Sequence, residues 1–105
     1  MSEKEERMVA AILEYKANLA EPVTAYPQTH FTQSSYSHWA VDEILMYIFV
    51  HLKLTPIQAV ERFRAKMNSY STMQKDGSRN TEANCIFSIA YDVATDILDI
   101  LIAME

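Results

Sequence analysis

The sequence predicts an all-α fold, a compact bundle of about four helices, and three observations carry that reading. One glycine among 105 residues leaves almost no residue suited to the φ > 0 positions of tight hairpins or phosphate-cradling loops, which argues against a β-sandwich, a Rossmann fold and a P-loop. Apolar residues recur at three- and four-residue spacing through several long stretches, the period of a helix with one buried side. Two sites, Ser2 with Glu5 and Thr55 with Gln58, carry the residue types of a capping box. A chain of 12.1 kDa buries about two thirds of the area its unfolded form exposes, enough for one core. A single helical domain over 1–105 is the expectation.

The first helix is predicted over 2–20, with Met8, Ile12, Tyr15 and Leu19 on one side and Val9, Leu13 and Ala20 beside them. Pro22 and Pro27 close it and open a long connection. From Pro22 to Val41 there is no Asp, Glu, Lys or Arg, yet the stretch holds Tyr26, Phe31, Tyr36 and Trp39. Connections of this length are uncommon in compact domains unless functional or disordered, and the aromatics favour an ordered segment lying across the bundle.

The second helix is predicted over 37–53. Val41, Ile44, Leu45, Ile48, Phe49 and Leu52 form one apolar side at 100° per residue, while Trp39, Met46 and Val50 cluster opposite, next to Tyr47 and interrupted by Glu43. The third helix, 56–73, starts on Thr55-Pro56-Ile57-Gln58, with Pro at the first helical position, and carries the stripe Ile57, Val60, Phe63, Met67, Tyr70. The fourth, 81–104, has a wide apolar arc through Ile86, Ile89, Ala90, Val93, Ile97 and Leu101, flanked by Phe87, Tyr91 and Leu98. That breadth makes it the expected centre of the core.

Composition also narrows the function classes. The opening residues mix both charge signs and lead into no apolar h-region, so no signal peptide is expected. The least charged helical stretch, Trp39 to Leu52, is too short and too polar to span a bilayer. One cysteine can form no internal disulfide and no zinc-finger or thioredoxin-type pair. A cytoplasmic protein with no membrane role is the expectation.

Charge is partitioned along the chain. Residues 53–79 hold Lys53, Arg62, Arg64, Lys66, Lys75 and Arg79 against Glu61 and Asp76, a local +4 within a net −5. Arg62, Arg64, Lys66, Lys75 and Arg79 are thus the candidate contacts for nucleic acid or another anion. Arg62 and Lys66 flank one side of the apolar stripe and Arg64 the other, so no single basic face forms. Partial neutralisation by Asp92, Asp96 and Asp99 of the antiparallel fourth helix is the simpler expectation. The helix after Thr55 has the flavour of a helix-turn-helix start, but its stripe runs on through Tyr70 where a turn is wanted, and the next helix exposes carboxylates.

No chemistry-bearing constellation appears. Asp92, Asp96 and Asp99 share a face, but the Glu-x-x-His pairs of carboxylate-bridged metal bundles are missing. Cys85 has no base near it in sequence, and His30, His38 and His51 stand alone. No catalytic residue, metal site, cofactor or small-molecule substrate is predicted.

The two-sided second helix is the remaining clue. Either the Pro22–Ser37 segment covers its far side, or that side is a protein interface of Trp39, Glu43, Met46, Tyr47 and Val50 with Tyr26, Phe31 and Tyr36 adjoining. The reading is a small non-enzymatic protein-interaction domain, regulatory or scaffolding, homodimeric through helix 2 or bound to another protein. The alternative is a nucleic-acid-associated regulator using the basic 53–79 segment.

Overall fold

Two reciprocal pairs of hydrogen bonds start the helices that the sequence marks most clearly. At Ser2 the hydroxyl accepts from the Glu5 backbone N–H, and the Glu5 carboxylate accepts from the Ser2 N–H, both at 3.2 Å. At Thr55 the Gln58 N–H donates to Oγ1 at 3.2 Å, and the Thr55 N–H donates to the Gln58 side-chain oxygen at 3.1 Å. Each box satisfies two backbone donors that a helix start otherwise leaves to water. The computed structural model describes residues 2–19, 33–51, 53–75 and 81–105. Among these, α1 spans Glu3–Ala17, α2 Gln33–Val50, α3 Pro56–Lys75 and α4 Thr81–Ala103, and no strand occurs. The all-α bundle is as the sequence predicts.

Boundaries differ by two residues or more at four places, two of them the ends of α2, at Val50 against an expected 53, and of α3, at Lys75 against an expected 73. α1 ends at Ala17, not near Ala20, because Asn18 caps it and its N–H reaches back to the carbonyls of Glu14 and Tyr15. α2 begins at Gln33, with the expected starting residue Ser37 buried inside it. Tyr36 and Ser37 both lie on the buried side, so an earlier helical turn gains packing that outweighs the local N-cap preference of Ser37. The rest of the predicted long connection, residues 20–32, lies outside the described residues.

The last three helices are consecutive antiparallel neighbours, and aromatic contacts set their register. Tyr47 of α2 meets Phe63 of α3 edge-on at 6.3 Å between centroids. Between α3 and α4, the Arg64 guanidinium lies 5.6 Å from the Tyr91 ring and the Tyr70 ring 5.2 Å from Phe87. A step forward on α3 is therefore a step back on α4. The end of α2, the start of α3 and the end of α4 share one end of the bundle.

One core joins all four helices. It takes Met8, Val9 and Ile12 from α1, Ala40, Val41, Ile44 and Ile48 from α2, Ala59, Val60, Phe63 and Met67 from α3, and six residues from α4 between Ala90 and Leu101. The stripes read from sequence on α1, α3 and α4 face the core, with Tyr15, Leu19, Ile57, Ile86, Phe87, Ile89 and Tyr91 partly buried at its edge and Tyr70 and Leu13 at the exposed margin; Ala20 lies outside the described residues. On α2 the buried arc is turned roughly 70° from the predicted one, toward Ala40. Four of the fully buried residues are alanines, Ala40, Ala59, Ala90 and Ala94. Small residues let helix backbones approach closely, and α2 turns its alanine inward at the expense of Phe49, which sits opposite on the wheel and is 51% exposed.

Candidate interaction surface

The predicted interface residues divide between two directions. Trp39, Glu43 and Tyr47, spaced four apart, face α3, and with Phe63, Lys66, Met67, Tyr70 and Phe87 they line a groove of about 190 Å³. Trp39 and Tyr47 are partly buried against the core there, and since Trp39 lies within about 20° of Met46 and Val50 on the wheel, it joins their side of the helix to the groove. Tyr36 is only 6% exposed and presents no surface. Tyr26 and Phe31 lie outside the described residues.

What remains open on α2 is an apolar arc. Met46 is 58% and Val50 69% exposed, and Phe49, which periodicity assigned to the core, completes a set at i, i+3 and i+4 that shares one side of the helix. The signal that could have found Phe49 is Ala40, half a turn away on the wheel, where a small residue marks the closest helix contact. Asp42 borders this arc and receives the Lys16 ammonium of α1 at 2.6 Å.

Beyond Val50 the chain turns through two hydrogen bonds, His51 N–H to Tyr47 O and Leu54 N–H to His51 O. This corner forms an open basin of about 500 Å³ lined by Val50, His51, Lys53, Leu54 and Arg62. Two apolar side chains and three that carry or can acquire positive charge meet there, with no carboxylate among the lining residues. His51 also packs against the Tyr47 ring, 4.3 Å between centroids.

The basic segment is dispersed. Arg62 points to the basin, Arg64 covers Tyr91, and Lys66 stands 5.7 Å from the Tyr70 ring centre on its own helix. Arg79 and the Lys75 side chain lie outside the description, as does the Cys85 side chain. The expected neutralisation by α4 does not occur: among the described residues, the ion pair is Lys16 with Asp42, and none joins Arg62 or Lys66 to Asp92, Asp96 or Asp99. Aromatic rings stand by Arg64 and Lys66 instead, an attraction that survives partial exposure.

Asp96 has another partner. The Tyr15 hydroxyl of α1 donates to its carboxylate at 3.2 Å. Burial, and next the negative charge of Asp96, push the phenol up to about 12 from 10.0, since ionising it would place a second negative charge beside the first. Among the described residues no three His, Cys, Asp or Glu side chains gather as metal ligands would, and no helix is long and apolar enough to cross a membrane.

Among the described residues the fold and surface thus define an all-α bundle of four helices with an apolar arc on α2 and a cation-lined corner beside it. No family model, curated protein or solved structure matches the chain, so its function is read from these residues alone.

Proposed function

We propose that this protein is a small non-enzymatic interaction domain, regulatory or scaffolding, which acts in the cytoplasm and self-associates through α2. The observation that carries the reading is the exposure of Met46, Phe49 and Val50 side by side on one helix. Water contact with an apolar side chain costs roughly 25 cal/mol per Å², and a second surface removes that cost. Met and aromatic residues are enriched in the centres of protein interfaces, and a two-fold dimer needs only one such patch.

The nucleic-acid reading draws less support. Arg62, Arg64 and Lys66 point to three different places, whereas phosphate tracking needs cations along one face.

Light scattering coupled to size exclusion tests the proposal. The wild-type chain is expected to pass from monomer to dimer as concentration rises, and Met46→Glu to remain monomeric with an unchanged far-UV circular dichroism spectrum. A wild-type chain that is strictly monomeric at millimolar concentration overturns it.

A further inference from the structure

The open side of α2 is bordered, along the helix and the corner that follows it, by charges in an order that is complementary to itself when reversed. Reading along the chain, Asp42 and Glu43 come first, Met46, Phe49 and Val50 follow, and His51 and Lys53 end it. The apolar part alone is small: three half-exposed side chains offer about 300 Å², a patch size that ordinary monomers carry, and well below the ~800 Å² per partner of a standard interface. Flanking groups must therefore add area and set the direction of pairing.

We infer that two copies pair antiparallel through α2 about a two-fold axis at Met46, and that the corner basin of each receives Glu43 of the other. The inference rests on the self-association proposed above and adds its register. Four residues of helix rise about 6 Å, so with Met46 against Met46 the level of Asp42 and Glu43 in one copy meets that of Phe49 and Val50 in its partner. The level of Trp39 meets that of Lys53.

Symmetry fixes the lateral match as well. A two-fold axis that reverses the helix direction keeps the α3 side of each copy against the α3 side of the other. Glu43 lies on the α3 side, in the groove with Lys66 and Met67. The basin lies on that side too, because Arg62 of α3 forms part of its wall. Glu43 of one copy, at the level of Phe49 of the other, stands about 3 Å along the axis from His51 and about 6 Å from Lys53, offsets that the long side chains of Lys53 and Arg62 can span, and none of these three is ion-paired among the described residues. Asp42 already holds Lys16, which leaves Glu43 as the acid for the basin. In a parallel pair the outcome inverts: the same levels coincide, acids face acids and bases face bases, which repels.

Two sets of variants, each checked for folding by far-UV circular dichroism, read the register. Sedimentation equilibrium on Glu43→Lys and on Lys53→Glu should show self-association weakened about tenfold by either reversal, each acting twice in the dimer, and the double reversal should restore it. In a Cys85→Ser background, Met46→Cys should cross-link under mild oxidation. Val50→Cys should not, since its two copies stand about 12 Å apart along the axis and a disulfide needs Cβ atoms within roughly 4 Å. A dimer that Met46→Glu abolishes, but that ignores both reversals and cross-links as readily at Val50→Cys as at Met46→Cys, overturns the antiparallel register and leaves self-association standing. A wild-type chain that never associates overturns both.

Discussion

Helices α2 and α4 are the two most apolar elements of the chain, and they spend that character differently. α4 sits among the other three helices, which take up its wide arc of Ala90, Val93, Ala94, Ile97, Leu98 and Leu101 and leave Ile100 and Ile102 of its last turn, with Met104 just beyond, exposed. α2 buries a narrower arc through Ala40, Val41, Ile44 and Ile48 and leaves Met46, Phe49 and Val50 in water. The amount of apolar surface on a helix does not by itself say where the core is. Position in the bundle decides, and a helix at the margin keeps its surplus for something outside.

The largest expected effect is in the core. Ile97→Ala on α4 and Ile44→Ala on α2, both fully buried, should each lower the unfolding free energy by about 2–5 kcal/mol in urea titrations. A loss near zero at either site would break the claim that both helices share one core. Next come the two polar ties by which α1 holds these helices, one to each. Tyr15→Phe removes the hydrogen bond to Asp96 and should cost ~1 kcal/mol at neutral pH.

That tie has a pH signature. The folded phenol titrates near 12, above its ordinary 10.0, so between those values the native state binds a proton that the unfolded chain releases. The contribution is complete below pH 10 and declines as pH rises toward 12. Alkaline denaturation should show the gap between wild type and Tyr15→Phe closing over that window, and a constant gap would remove Tyr15 as its source. The matching tie on α2 is weaker: Asp42→Asn should cost about 0.5 kcal/mol or less, and less still in high salt, because the Lys16 pair is largely exposed.

The smallest effect sharpens the contrast most. Phe49→Ser on the open arc should change monomer stability within ~0.5 kcal/mol, while the same loss of apolar area at Ile48, one residue away and buried, is severe. If Phe49→Ser destabilises the monomer by 2 kcal/mol or more, the arc belongs to the fold and offers nothing to a partner.

Much of the fold was legible because local and tertiary preferences agree. The capping boxes at Ser2 and Thr55, Pro56 at the first helical position and the stripes on α3 and α4 each specify their element without reference to the rest. The surface of α2 was not legible to the same degree. An apolar helix gives periodicity no contrast to read, so the direction of its buried side is set by the neighbours, here by alanines that admit close approach. Trp39 and Tyr47 were drawn to the α3 groove for the same reason, and Phe49 was released. The fate of Arg64 and Lys66 also escaped sequence reasoning, since charge counting pairs cations with carboxylates and does not see rings.

The consecutive antiparallel order of α2, α3 and α4 bears on how the chain acquires its structure. Helix pairs separated by about five residues of sequence close small loops, and such local contacts form early. α1 is separated from α2 by residues 18–32 and fastens to the finished surface through Ile12 and its two polar ties. It should dock last on refolding and open first at equilibrium. Its amides should exchange with deuterium at a lower opening free energy than those of α4, making the first helix a separate unit in the hierarchy of local unfolding.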